Sequence, residues 1–266
     1  MPWIAYSIAD KVSSGIAGIL KEELEFREEG EIDGMAHYRS GNVHMLEIKR
    51  PLIYCDFLDR IDDVDFIIFP SKHVSEKGVM SYTVHSEGNW SDSAKFGGKP
   101  NELSFAIPDV MAKSLKALAS DASNDIGAVY EATHHGPLLQ KPSYFIEFGG
   151  SVDAVGNPRR EFLGVVAEAI SETMNGPAAE YEKVAIGIGG SHYPGKFTKL
   201  ALEGRYCFSH IMSRYYIDRL DMLEQAYSRS TLRPDCAVIE WKSMNSTERD
   251  LIIKRLNVIG IDYERA

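Results

Sequence analysis

Glu131, the adjacent pair His134-His135 and Glu147 gather two carboxylates and two imidazoles into one short stretch of chain. Apolar runs at residues 126–130 and 144–148 read as strands, and Gly136-Pro137 breaks the chain between them. Glu147 alternates with apolar neighbours, where a carboxylate is rare unless it is paired or ligates a metal. Three further histidines stand where apolar runs give way to polar loops. His73 follows the run 66–69, His85 closes the run 81–85, and His192 lies in Gly-Gly-Ser-His-Tyr-Pro-Gly-Lys after the run 184–188. A lone His-His pair at a strand end is most simply a surface residue beside a capping one. Four His-bearing strand ends in one chain favour a common site, with His73, His85, His134, His135 and His192 as metal ligands. Imidazole and carboxylate are the usual ligands of a catalytic zinc. Zinc lowers the pKa of a bound water to about 7 and polarises a carbonyl. Glu131 or Glu147, with His134, would orient a ligand or act as general base. Such a set suits hydrolysis of an ester or amide.

Strands and helices must position these groups. Residues 3–8 read as a first strand, and 10–24 as a helix with Ile16, Ile19, Leu20 and Leu24 at helical spacing and Ser13 or Ser14 as N-cap. Residues 27–34 read as an acidic turn, and 35–38 with 43–48 as a hairpin across Gly41-Asn42. His37 and His44 on that hairpin are read as structural or exposed, and His210 as a core histidine satisfied by backbone. Helices are expected at 108–119, 159–174, 215–227 and 246–256, the last capped by Ser246. Strands are expected at 206–212, 237–241 and 259–263. Residues 91–103 are Gly-rich and carry Lys95 and Lys99, which suggests a mobile loop or substrate lid. This alternation predicts an α/β sandwich with a mixed, mainly parallel sheet. No linker divides residues 1–266, so a single domain is expected. In a parallel sheet the strand ends, and so the site, gather along one edge.

The chain has 266 residues, 44% hydrophobic and 26% charged, enough for a sizeable core and unlike a disordered chain. A net charge of -10 argues against general nucleic-acid binding, whose affinity comes from Lys and Arg, and leaves room only for a local basic patch. Cys55, Cys207 and Cys236 are far apart and form no CxxC, which points to a reducing cytoplasm. The first residues are too polar for a signal peptide, and no apolar run approaches a membrane span. The P-loop spacing, the GxSxG elbow and a dinucleotide fingerprint are absent. Gly189 and Gly190 read as a place where free amides would meet an anion.

The segments FPSKHVSEKG, YTVHSEGNW, FGGKPNELSFAIP, YEATHHGP, FIEFGGS and IGIGGSHYPGKFT follow one another from about residue 66 to residue 199. In that order they resemble the archaeal and plant type of D-aminoacyl-tRNA deacylase. EATHHGP and GIGGSHY are the most specific of them, and the later SHIMSRYYID also fits. FIEFGGS departs from the pattern by extra bulk and a glycine. A cytoplasmic monomer is expected, and the resemblance implies a zinc-dependent enzyme that hydrolyses the ester between a D-amino acid and tRNA. It also implies a three-layer α/β/α sandwich similar to peptidyl-tRNA hydrolase and the nucleoside phosphorylases. It does not say which histidines bind metal. Lys72, Gly149, Gly189, Gly190, Lys196 and Thr198 are the expected substrate contacts. A basic rim of Lys72, Lys77, Lys95, Lys99, Arg159, Arg160, Lys196 and Lys199 would meet the tRNA. Rejection of the L-enantiomer calls for rigid backbone near the α-carbon, for which Gly149-Gly150 and Gly189-Gly190 are the candidates. Two readings compete. One is a phosphorylase-like or peptidyl-tRNA hydrolase-like enzyme, with phosphate at Gly189 in the phosphorylase case. The other is a tRNA-binding module without catalysis.

Overall fold

A computed structural model describes residues 1–121 and 126–266. The chain opens with β1 (Pro2–Ser7), α1 (Lys11–Glu23), β2 (Arg27–Ile32), β3 (Met35–Ser40) and β4 (Val43–Ile48). Two 3-10 turns, Leu52–Tyr54 and Asp56–Arg60, lead to β5 (Phe66–Val74), β6 (Ser81–His85), β7 (Gly88–Asn89) and β8 (Glu102–Leu103). There follow α2 (Pro108–Ser120), β9 (Ala128–Tyr130), β10 (Ser143–Gly150), α3 (Val152–Gly156) and α4 (Arg160–Asn175). The last part holds β11 (Lys183–Ile188), α5 (Gly195–Leu202), β12 (Tyr206–Met212), a 3-10 segment Arg214–Met222, and α6 (Leu223–Ser228). It closes with β13 (Cys236–Ile239), α7 (Ser246–Ile259) and β14 (Tyr263–Arg265).

The fold is α/β with mixed, mainly parallel strands, arranged as two main sheets. The larger has the order β2-β3-β4-β1-β5-β10-β6-β9, the smaller β12-β11-β13-β14. All pairs of the smaller sheet are parallel. In the larger sheet β6 runs against β10, and the β2-β3-β4 meander is antiparallel. The smaller sheet abuts the loop after β9: Ala132 N–H donates to the His192 carbonyl at 2.8 Å and Thr133 N–H to that of Ile211 at 2.9 Å.

Alternation along the central strands decides what each face does. Ile4, Tyr6, Ile68, Tyr144, Ile146 and Phe148 face the helices α1, α2 and α4, in a core that continues through Ala185, Phe208 and Val238 of the smaller sheet. The other face carries Trp3, Ala5, Ile67, Phe69 and Phe145 beneath Leu52, Cys55 and Leu58 of the 3-10 turns. Continuing past Phe69 and Phe145 at the same alternation, this face carries Ser71 and His73 on β5 and Glu147 on β10. Ile186, Ile188, Ala237 and Ile239 pack against Leu223, Ile252 and Leu256 of α6 and α7.

Several local expectations change. The α1 N-cap is Asp10, whose carboxylate accepts from the Val12 and Ser13 amides. Ser13 is buried instead, accepting from Ser7 N–H at 2.9 Å and donating to the Pro70 carbonyl at 2.6 Å. Residues 27–32 are an exposed, charged edge strand rather than a turn, a common defence of a sheet edge. Strand β5 continues through Pro70, which lies beyond the last residue paired with β1, so its missing N–H breaks no ladder there. Residues 214–222 form 3-10 turns before α6, and Asn245, in a capping box with Glu248, caps α7 in place of Ser246. Helix α7 runs to Ile259 and ends at Gly260 with φ +69°, so the last strand begins only at Tyr263. His37 and His44 are a buried structural pair, 2.9 Å apart through their ring nitrogens, with His44 stacked on Trp3 at 4.5 Å.

Candidate active site

The candidate residues do not gather along an edge. Because β6 and β9 run against β5 and β10, the histidines meet on the open face of the larger sheet. Register places Gly149 beside His73, Glu147 beside Ser71 and Thr83, and Phe145 beside His85. Tyr130 pairs with Val84, so Glu131 emerges next to His85. A further bridge between Glu87 and His134 brings the His134-His135 turn alongside. The smaller sheet contributes His192 and Tyr193 from the loop after β11.

Glu131 is buried at the centre. Its Oε1 lies 3.2 Å from His73 Nδ1, and its Oε2 lies 3.4 Å from His134 Nε2 and 3.3 Å from His192 Nε2. Glu147 Oε2 is 3.6 Å from His85 Nε2 and 3.9 Å from His73 Nδ1, and it accepts from the Thr83 hydroxyl at 3.4 Å. His85 Nδ1 faces the Ser86 carbonyl at 3.1 Å, His134 Nδ1 that of Ala132 at 2.9 Å, and His135 Nδ1 that of Gly136 at 2.6 Å. A carbonyl only accepts, so each Nδ1 carries a proton, and in His134 and His135 Nε2 keeps its lone pair. The His85, His134 and His135 nitrogens available to an ion lie within 4.8 Å of one another. His73, Glu131 and His192 form a second such group, and His85, Glu131 and Glu147 a third. His85 Nε2 and both Glu131 oxygens are buried without a hydrogen-bond partner among the described residues. Orphaned buried atoms of this kind fit a cation, and the imidazole-carboxylate donor set fits zinc.

Electrostatics agree with that reading. Burial alone would raise Glu131, but His192, His85 and His73 outweigh it and lower its carboxyl to about 2. Burial, then the neighbouring imidazoles, push His134 well below its ordinary value and His135 down to about 3. Burial also disfavours a charge on His85, yet Glu147 beside it prevails and raises it to about 9. His85 thus carries a second proton, on Nε2 beside Glu147, the charge that a bound cation would replace.

A buried chain supports the cluster from behind. Ile211 N–H donates to Thr133 Oγ1 at 3.0 Å, and Thr133 Oγ1 and Ser86 Oγ are 2.8 Å apart. Ser86 Oγ lies 3.1 Å from His210 Nδ1, and His210 Nε2 bonds the Arg229 carbonyl at 3.0 Å. His210 is therefore a core histidine, and burial lowers it to about 4. Sequence reasoning missed Tyr193, whose hydroxyl hydrogen-bonds His73 Nε2. It also missed Glu87, which is wholly buried, accepts from Ser143 at 3.2 Å and is raised to about 8, chiefly by burial. Tyr193 follows His192 directly, but a surface-loop tyrosine gives no signal of its own.

Three clefts open from the cluster. The first, about 260 Å³, runs between Leu52, Ile53, Lys72 and Phe96 to His73, His135 and Glu147. The second, about 620 Å³, is walled by Val74, Lys77, Val79, Val129 and Tyr193 beside His73 and His192. The third, about 300 Å³, is lined by Asn89, Ser91, Ser93, Lys95, Phe96 and Tyr216 beside His134 and His192. Each cleft carries one lysine.

The expected substrate contacts divide. Lys72 stands exposed in the first cleft. Gly149 makes room for His73, since a Cβ there would come 3.2 Å from the His73 Cβ. Gly189 and Gly190 have no free amides: the first donates to the Met212 carbonyl at 2.8 Å, the second to Ser243 Oγ at 3.0 Å. Their φ angles are +108° and +77°, and a Cβ on Gly190 would strike the Glu240 carboxylate. They serve close packing, so neither an anion nest nor a chiral wall is formed there. Thr198 is buried and accepts from Tyr130 N–H at 3.0 Å, fixing the residue before Glu131. Lys196 is exposed on α5 and lines none of the three clefts. In the supposed rim, Arg159 pairs with Glu161, Arg160 with Glu22 at 2.5 Å, and Lys199 with Glu203 at 3.7 Å. The loop over residues 91–103 is anchored by hydrogen bonds. Asn89 Nδ2 holds the Gly97 and Lys99 carbonyls at 2.9 and 3.2 Å, and Gly136 N–H that of Phe96 at 3.0 Å.

The fold is α/β, and a buried cluster of imidazoles and carboxylates of this kind suits ester hydrolysis. Residues 61–264 match the family model described as D-aminoacyl-tRNA deacylase, and the chain belongs to that family. It is similar to the D-aminoacyl-tRNA deacylase of Desulfurococcus amylolyticus, 35% identical over 94% of each chain. The enzyme of the same name from Pyrococcus horikoshii is 36% identical over 96% of each. The crystal structure of a conserved protein of unknown function superimposes with a TM-score of 0.90 at 30% identity, over 100% of this chain and 95% of that one.

Proposed function

We infer that this chain hydrolyses the ester between a D-amino acid and the 3′ end of tRNA, releasing the free amino acid and the tRNA. The observation that carries this reading is the cluster of Glu131, Glu147 and five imidazoles, reached by three clefts through His73, His134, His135 and His192. An aminoacyl ester branches three ways around its carbonyl, into amino-acid side chain, amino group and ribose.

His85, His134 and His135 are the residues that would hold zinc, because their Nδ1 atoms are spent on carbonyls, which leaves Nε2 to an ion, and His85 would give up its second proton to it. A zinc ion held there supplies an acidified water and a polarised carbonyl. Glu147, bonded by Thr83, orients His85. Glu131 stays ionised and braces His73 through Nδ1. His73 Nε2, beside the Tyr193 hydroxyl, accepts the proton of the attacking water and returns it to the departing ribose oxygen. Lys72 and Lys95 meet the tRNA phosphates. The chain acts as a monomer in the cytoplasm. Three free, buried cysteines suit that compartment, and no helix among the described residues is long and apolar enough to cross a membrane.

Metal analysis and single-turnover deacylation of D-tyrosyl-tRNA separate these roles. His85→Ala is expected to lose bound zinc and activity together. His73→Ala should keep its zinc and lose on the order of a hundredfold in rate, the typical worth of a general acid-base group. Zinc retention by His85→Ala, or full activity in His73→Ala, would contradict the assignment.

A further inference from the structure

Phe96 is an oddity of placement. Its ring is 59% exposed, yet the loop that carries it is fixed. Besides the hydrogen bonds from Asn89 and Gly136, the backbone of Gly97, with φ +80°, packs so closely on the Ile53 carbonyl that no side chain fits. An apolar ring therefore stands in solvent on an anchored backbone, on the lip shared by the first and third clefts. Lys95 Nζ lies 5.4 Å from the ring centroid. The third cleft beside it is rich in amide and hydroxyl groups, from Asn89, Ser91, Ser93, Ser213 and Tyr216. The second cleft is walled by valines and suits an amino-acid side chain. His192 lies on both, so an ester at the cluster would send its amino acid one way and its nucleoside the other.

We propose that Phe96 is the stacking platform for the terminal adenine of the tRNA, with the ribose in the third cleft and Lys95 on the neighbouring phosphate. This rests on the substrate class proposed above. A base presents a flat face to an aromatic ring, and such a stack is worth about 1–3 kcal/mol. Lysine beside the ring adds the charge that a nucleotide requires.

The test is calorimetric binding of adenosine 5′-monophosphate to the full-length protein, alongside steady-state hydrolysis of D-tyrosyl-tRNA. Wild type is compared with Phe96→Ala, Phe96→Leu and Phe96→Trp, with thermal melting to confirm folding. Phe96→Ala and Phe96→Leu should weaken nucleotide binding about tenfold and raise KM for the tRNA about tenfold, with kcat within about twofold. Phe96→Trp should retain both. If wild type fails to bind the nucleotide, or Phe96→Ala or Phe96→Leu binds it as wild type does, the platform is wrong. Wild type that binds the nucleotide through Phe96 but leaves D-tyrosyl-tRNA intact would overturn the substrate reading and keep the platform.

Discussion

At the scale of single residues, the site depends on where each ring nitrogen spends its proton. Residue type made Glu131, Glu147 and the five histidines legible in the sequence, because carboxylates and imidazoles at strand ends have few other uses. It could not separate His73, engaged at both nitrogens by Glu131 and Tyr193, from His85, His134 and His135, each of which turns Nδ1 to a backbone carbonyl. Gly189 and Gly190 were misread because the reason for a glycine lies in its neighbours, here Glu240 and Ser243, which are remote in sequence. His210 gives a prediction at this scale. Burial lowers it to about 4, whereas an unfolded histidine titrates near 6.5. Below pH 6.5 the unfolded chain binds the proton that the folded chain refuses, so stability falls with pH until about 4. Urea unfolding at pH 6.5 and pH 5 should show wild type losing about 2 kcal/mol more than His210→Gln. Equal losses in the two proteins would mean that His210 is not held neutral.

Elements carry these groups by register. Strand β5 was legible only to Phe69, because Pro70 reads as a break. Its continuation, allowed where β1 no longer pairs, puts His73 on a strand instead of a loop. The reversed direction of β6 was not legible, since a short apolar run has no polarity, and with it the site moved from a sheet edge to a sheet face. Helices with clear apolar spacing, such as α2 and α4, were read to within a residue or two. Helix α5 shows how one element sets another: its Thr198 hydroxyl receives the Tyr130 amide at the end of β9, and Glu131 is the next residue. Thr198→Val leaves that buried N–H unpaired at nearly constant volume. A loss of about 1–3 kcal/mol in denaturant unfolding is expected, together with a lower kcat as Glu131 loses its anchor. Unchanged stability and kcat would show that the bond does not position the site.

Over the whole molecule, a net charge of -10 must still admit a polyanion. The resemblance, with the lysines and arginines beside the candidate loops, suggested a basic rim. The structure instead neutralises Arg159, Arg160 and Lys199 in ion pairs and leaves one lysine in each cleft. Replacing Lys72 and Lys95 together by Ala should raise KM for tRNA about tenfold and flatten its salt dependence. Lys199→Ala, measured in the same way, should change neither. The overall class, α/β with mainly parallel strands, followed from the alternation of apolar periods. The division into two sheets did not, because the backbone contacts of Ala132 and Thr133 with the β11 and β12 loops leave no trace in residue type. The central claim is that this assembly hydrolyses D-aminoacyl esters on tRNA, and it is tested most directly by the deacylation rates of D-tyrosyl- and L-tyrosyl-tRNA in one enzyme preparation. The D-ester should be hydrolysed at least about a hundredfold faster, as expected when one enantiomer is rejected by clash or an unpaired polar group. Similar rates on both would make the protein a general esterase and contradict the account.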